Sequence, residues 1–163
     1  MFAIIGPVLL IIVLCFGFVL AFGPPYLPTL TKQMQIALKL ADLQSGQTLL
    51  ELGCGDGKVL VAAAQQGVSA IGFELNPLLV IVCKLRCWRY RKLVTVKWAN
   101  FWTRPWPPTD VIFIFGLPRL MQKLDTKVIQ YNHKPVKLIS FAFAIPGKHP
   151  SQKKGGVFRY DYK

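Results

Sequence analysis

The chain predicts an α/β fold, a doubly wound and mainly parallel sheet, on three observations. Short apolar runs alternate with helix-period segments. The first run breaks at Leu52 into a glycine-rich turn that leads straight into a helix, and the second ends on an acidic residue, Glu74. In such sheets ligands lie at the carboxyl ends of the strands.

Taken in order, Met34, Ile36, Ala37, Leu38, Leu40 and Leu43 suit an amphipathic helix from Thr31, which Ser45-Gly46-Gln47 breaks. Thr48–Leu52 is a buried strand, Lys58–Gln66 a helix stopped by Gly67, and Val68–Phe73 a second strand. Pro77 opens a third helix, running to about Lys92, at the position where proline is welcome. Val94–Ala99, Val111–Phe115 and Lys137–Ile145 are further strands, with a helix from Arg119 to about Gln130 between the last two; Val157–Tyr162 adds an edge strand.

Residues 1–22 carry no charge, and 22 helical residues span about 33 Å, enough for a hydrocarbon core of about 30 Å. The segment predicts one transmembrane anchor. A signal peptide, the runner-up, would want a basic start and a small-x-small cleavage site, and neither is present. Lys32 and Lys39 follow on one side, so the expected placement is a single-pass membrane protein with its domain on the cytoplasmic side. The chain then divides into an anchor (1–22), a Pro-rich link (23–30) and one domain (31–163).

No Lys, Arg, Asp or Glu occurs before Lys32, so the net charge of +13 belongs to the domain, which is drawn to anionic lipid, nucleic acid or an acidic protein. The segment from Lys84 to Lys92, basic with Trp88 and Tyr90 interleaved, fits a phosphate backbone, an anionic membrane surface or a solvated helix face. With an anchor on the same chain, lipid is the simpler account than nucleic acid. Of four cysteines, Cys54, Cys83 and Cys87 fall in the domain, an odd number that argues against a disulfide framework. The only histidines are His133 and His149, and no metal site is expected.

The glycine segment Glu51-Leu52-Gly53-Cys54-Gly55-Asp56-Gly57 lets backbone bend sharply and approach a ligand without Cβ collisions. Its third glycine comes one residue earlier than in the phosphate-binding G-x-G-x-x-G pattern, and Asp56 would repel a phosphate. A sulfonium ligand with an amino-acid end suits it better. Glu74, 23 positions after Glu51, is placed to accept both hydroxyls of an adenosine ribose.

LLELGCGDGKVL followed by AIGFELNP resembles the cofactor motifs of Rossmann-like class I S-adenosylmethionine-dependent methyltransferases. The resemblance implies that Glu51, Gly53, Cys54, Gly55, Asp56 and Gly57 shape the methionine site, that Glu74, Leu75 and Asn76 bind the ribose side, and that Asn100 and Phe101 read the adenine. Asn100 stands where Asp is commoner, and Trp98, Phe101 and Trp102 suit a core or a membrane surface equally well. A narrower resemblance covers nearly the whole chain, through the apolar N-terminus, Pro25-Tyr26-Leu27-Pro28-Thr29, Gly-Asp-Gly and Glu-Leu-Asn-Pro. It is to the small membrane-anchored lysine methyltransferases of the adenine nucleotide translocase and ATP synthase c-subunit family, which implies a membrane-protein substrate.

Methyl transfer is an in-line displacement that needs alignment more than a nucleophile or metal. After the fourth strand the chain offers Phe115-Gly116-Leu117-Pro118 in place of the Asn-Pro-Pro-Tyr of many amino-group methyltransferases. The resemblance implies that carbonyls of Gly116 and Leu117 face the acceptor and that Tyr26 and Thr29 close over it; Tyr26 also suits an interfacial anchor. Two other readings share the cofactor site: a lipid or small-molecule methyltransferase, and a non-catalytic membrane-tethered scaffold.

Overall fold

The computed structural model describes residues 5–7, 9, 10, 13, 17, 30–133 and 135–163. Seven strands form one sheet: β1 (Thr48–Leu52), β2 (Ser69–Glu74), β3 (Val94–Trp98), β4 (Val111–Phe115), β5 (Val136–Phe141), β6 (Gln152–Lys154) and β7 (Val157–Tyr162). Their order is β3-β2-β1-β4-β5-β7-β6. The first five are mutually parallel, while β7 runs antiparallel to both β5 and β6. Strand order therefore reverses at the β1/β4 boundary, where an open parallel sheet forms its ligand crevice.

Helices α1 (Thr31–Ala41), α2 (Lys58–Ala64), α3 (Pro77–Cys87) and α4 (Met121–Ile129) connect or flank the strands. α1, α2 and α3 cover one face, around Leu38, Leu60, Ala63, Cys83, Phe113 and Ile139. α4 covers the other with Met121, Leu124 and Val128 against Leu50, Ile112, Leu138 and Tyr160. Leu49 belongs to the first core and Leu50 and Leu52 to the second, the alternation expected of a strand buried on both sides.

Local chemistry sets the helix ends. α1 stops at Asp42, which is left-handed (φ 48) and bonds its N–H to the Leu38 carbonyl. The carbonyls left over at that end accept Lys137 Nζ at Ala41 (2.9 Å) and an Arg159 guanidinium N–H at Leu40 (3.2 Å), which ties α1 to β5 and β7. α3 begins where the Asn76 side chain accepts from the Leu78 and Leu79 N–H groups, with Pro77 at its first position.

The expected single-pass placement with a cytoplasmic domain is overturned, and the expected transmembrane helix, residues 1–22, falls largely outside the described residues. Among the described residues no helix is long and apolar enough to cross a membrane. The longest, α1 and α3, have 11 residues each, about 16 Å of rise, roughly half of a hydrocarbon core. Most of residues 1–29, including Tyr26 and Thr29, lies outside the described residues.

Three element boundaries also differ from expectation. The third helix gives way at Trp88–Tyr90 to a 3-10 turn. β5 ends at Phe141 and not at Ile145, because Ala142 turns left-handed (φ 71) with its N–H on the Gly156 carbonyl. Val157–Tyr162 is an edge only in its second half: the three-residue β6, too short and polar to read from sequence, pairs outside Val157–Arg159.

Candidate active site

β1 ends at Leu52 and the chain must reverse before α2 begins at Lys58, which left-handed backbone at Gly53, Gly55 and Gly57 (φ 79, 52 and 79) permits. The Gly53 and Cys54 N–H groups both bond to the Phe73 carbonyl, at 2.8 and 3.0 Å, and the Gly57 N–H to the Cys54 carbonyl at 2.8 Å. The turn is thus pinned to β2. Gly57 and Gly53 face different surroundings: a Cβ on Gly57 would lie 2.5 Å from Cys83 Sγ, whereas one on Gly53 would meet nothing within 4 Å. Gly57 is needed by the protein's own packing, and Gly53 opens onto free space.

Glu74, at the end of β2, is buried and fully engaged with backbone on one oxygen. Its Oε1 accepts the N–H groups of Leu75 and Asn76, each at 2.8 Å, and its Oε2 accepts the Gly55 N–H at 2.8 Å. A carboxylate oxygen has about two lone-pair sites, so Oε2 keeps one acceptor position and Oε1 none. The carboxylate that the spacing offers to two hydroxyls thus keeps one acceptor position free of the chain's own donors. Asn76 is wholly buried, and its Nδ2 has no hydrogen-bond partner within the chain.

Beneath the turn lies a group that sequence spacing showed only in part. Cys83 and Cys87 share a face of α3, and Cys54 joins them with its Sγ 3.8 Å from that of Cys83. All three thiols are free and buried. Hydrogen bonding with Cys54 and burial push the Cys83 thiol up, and hydrogen bonding with Cys83 and burial do the same for Cys87. Among the described residues no group of three His, Cys, Asp or Glu side chains is arranged to hold a metal ion.

Glu51 is buried beside this group with no partner for Oε2. Burial first, then the charges of Asp56, Cys87 and Glu74, hold its carboxyl well above the usual carboxylate range. A group whose folded value is raised contributes stability that is complete below its unfolded value and lost as pH rises through the folded one. Glu51→Gln should therefore melt higher than the wild type at neutral pH, by about 2–4 °C for each kcal/mol recovered. The gap should close as pH falls toward about 4, the ordinary range of a glutamate carboxyl. Thermal melts across pH check this, and a variant less stable at neutral pH contradicts it.

Asp56, which the spacing offers to a ligand ammonium, is met by the protein's own cations. Its Oδ2 pairs with the Arg86 guanidinium from α3, and Lys58 Nζ lies 4.0 Å away. No sequence signal connects positions 30 residues apart in this way. The basic stretch runs outward from the end of α3 through the 3-10 turn: Ile81 and Leu85 of the helix and Trp88 of the turn are exposed, with Arg91 stacked on the Trp88 ring at 5.1 Å.

At the end of β3, Trp98 Nε1 donates to the Leu75 carbonyl (2.9 Å), so the exposed indole braces the backbone beside Glu74. The Asn100 side-chain oxygen accepts the Trp102 N–H (2.9 Å) and shapes the following turn. Phe101 is buried, with its ring 4.7 Å from that of Trp102 and its carbonyl accepting Trp106 Nε1 (2.9 Å). In the structure Phe101 is a core residue of the α4 side. Lys127 Nζ closes the loop on the Trp102 carbonyl (2.8 Å).

Gly116 and Leu117 follow β4, at the carboxyl end of the sheet, and Leu117 precedes a short 3-10 turn that leads into α4. Register places Leu52 beside Ile114 and Phe115 beside Phe141. The ends of β1, β4 and β5 therefore stand in a row. Of the expected residues, the turn, Glu74–Asn76 and Gly116–Leu117 share one rim of the sheet, while Tyr26 and Thr29 fall outside the described residues.

A parallel sheet of this order, with a glycine turn after its first strand and a buried carboxylate after its second, defines a class I methyltransferase, whose cofactor is S-adenosylmethionine. The chain belongs to the family described by the ANTKMT methyltransferase domain, which matches residues 51–152. It is 31% identical over 143 residues to the human ATP synthase c-subunit lysine N-methyltransferase, covering 84% of this chain and 61% of that protein. It is 29% identical over 129 residues to the mouse adenine nucleotide translocase lysine N-methyltransferase, covering 77% and 56%. The chain thus spans about three fifths of the length of the curated relatives it matches. In fold it is similar to an RNA methyltransferase from Salinibacter ruber solved in complex with S-adenosyl-L-homocysteine, with a TM-score of 0.77, 24% identity and coverage of 83% of this chain and 93% of that one.

Proposed function

We propose that this chain, through residues 31–163, transfers the methyl group of S-adenosylmethionine to a lysine side chain of a membrane protein. The observation that carries the reading is the turn held open at Gly53 and bound to Glu74 through Gly55, in a chain whose relatives are named for lysine N-methylation of the ATP synthase c-subunit and of adenine nucleotide translocase.

When bound, the cofactor supplies an electrophilic methyl: the S–CH3 bond breaks, an N–CH3 bond forms, the sulfonium becomes a thioether, and the acceptor's proton goes to water. The chain's part is to bind and align. Gly53 leaves the ligand its space, and the remaining acceptor position on Glu74 Oε2 suits one ribose hydroxyl. Asn100 and Phe101 shape the adenine side by fixing the loop after β3. Carbonyls of Gly116 and Leu117 orient the acceptor amine, and no residue is assigned as a base.

The test is to incubate the purified full chain with methyl-tritiated S-adenosylmethionine and membranes from its source, hydrolyse the protein and resolve the amino acids. Label in methylated lysine is the expected result. Label confined to a lipid extract or to RNA would overturn the lysine assignment.

A further inference from the structure

We infer that the paired rings of Phe115 and Phe141 form the surface that receives the acceptor's alkyl chain and strips water from its amine. This rests on the amine-methylation reading above. Phe115 is the last residue of β4 and Phe141 the last of β5; they are register partners, and their ring centroids lie 4.5 Å apart at 49°. Both are half-buried. Strand alternation sets them on the face of Val111, Phe113 and Ile139, at the upper end of that core. One strand over, β1 pairs with β4 up to Leu52 and Ile114, so Gly53, with nothing within 4 Å of its absent Cβ, follows at the level of Phe115. The row Gly53, Phe115, Phe141 thus leads from the cofactor turn onto aromatic surface.

The disposition of charge supports the same assignment. The chain has seven acidic side chains. Glu51 is buried within β1 as the register partner of Phe113, while Asp56, held by Arg86, and Glu74 serve the turn and β2. Asp42 and Asp161 lie near Lys137 at the opposite end of β5, Asp110 precedes β4, and Asp125 bonds Tyr162 and Lys148. None stands at the carboxyl ends of β4 and β5. An ammonium arriving there finds apolar rings where a carboxylate would have kept it charged, and desolvation favours the neutral amine. That is the form whose lone pair attacks the methyl. An alkyl stem four carbons long lies well along two adjoining rings.

The probe is n-butylamine, the side chain of lysine alone, as an inhibitor of methyl-lysine formation in the membrane assay. Phe115→Ala and Phe141→Ala should each need at least about tenfold more butylamine for half-inhibition, the loss expected when one apolar contact of about 1.4 kcal/mol is removed. The rising limb of the pH–rate profile should move to higher pH in both. Calorimetric affinity for S-adenosylmethionine should stay within about twofold, a change under about 0.5 kcal/mol. Phe115→Leu and Phe141→Leu, which keep the packing and the apolar surface, should restore the wild-type profile. Leucine variants that bind cofactor but behave as the alanine ones do, or alanine variants with unchanged inhibition and pH profile, would overturn the assignment. A wild type that makes no methyl-lysine overturns the lysine reading itself, and this inference with it.

Discussion

Glu74→Ala is expected to abolish measurable heat of S-adenosylmethionine binding and to lower thermal stability by about 3 kcal/mol, roughly 10 °C in a domain of this size. The reason is in the wiring of the carboxylate. Its two oxygens satisfy the N–H groups of Gly55, Leu75 and Asn76, and alanine leaves all three donors without their acceptor in a site too buried for water to replace it freely. The glycine turn then loses its tie to β2 at Gly55. Glu74→Gln is the informative companion. Its amide oxygen can keep one side of the network, but its NH2 faces an N–H donor, so stability should fall between the two and binding should remain weak. Calorimetry and melting on both variants check the ordering; wild-type affinity in Glu74→Ala would remove this residue from the cofactor site.

The second large effect separates two glycines that look equivalent in sequence. Gly57→Ala should destabilise the chain by about 2–5 kcal/mol, the sum of an overpacked contact and a left-handed backbone. Its Cβ would press 2.5 Å from the buried Cys83 thiol and 3.1 Å from that of Cys87, and Cys83 Sγ already lies 3.8 Å from that of Cys54. Gly53→Ala carries the same backbone penalty (φ 79) but no clash. It should fold, lose only about 1–2 kcal/mol, and bind S-adenosylmethionine poorly, because the added methyl takes the ligand's space. Soluble yield and melting distinguish the pair. Equal destabilisation of both would contradict the division between packing and ligand contact.

Sequence and structure part company in ways that follow from the range of each interaction. β1, β2 and β4 are buried on both faces, so their side chains form nearly unbroken apolar runs that can be read directly. β6, with Gln152, Lys153 and Lys154 all exposed, holds its place by backbone hydrogen bonds to β7, which leave no mark on side-chain pattern. The overrun of β5 has a similar origin. Ala142, Phe143, Ala144 and Ile145 prolong the apolar run past Phe141, yet the backbone turns left-handed at Ala142, where no glycine announces it. The Ser140 hydroxyl closes that turn by donating to the Phe143 carbonyl at 2.6 Å.

The glycine turn and Glu74 were legible because backbone geometry constrains their residue types. What stayed hidden at the site was partnership over distance: Arg86 with Asp56, Cys54 with Cys83, and the pairing of Phe115 with Phe141 that only strand register creates.

The shortness of β6 has a consequence for how copies of this chain meet in solution. A sheet open at both ends offers unpaired backbone to any passing strand, and long flat edges seed aggregation. Here β6 covers the first half of β7 with three residues and bears Lys153 and Lys154, the first lying over the Phe158 ring at 5.4 Å; the other border, β3, presents Lys97. Two such borders brought together would set lysine against lysine, so the sheet resists growing by edge-to-edge addition.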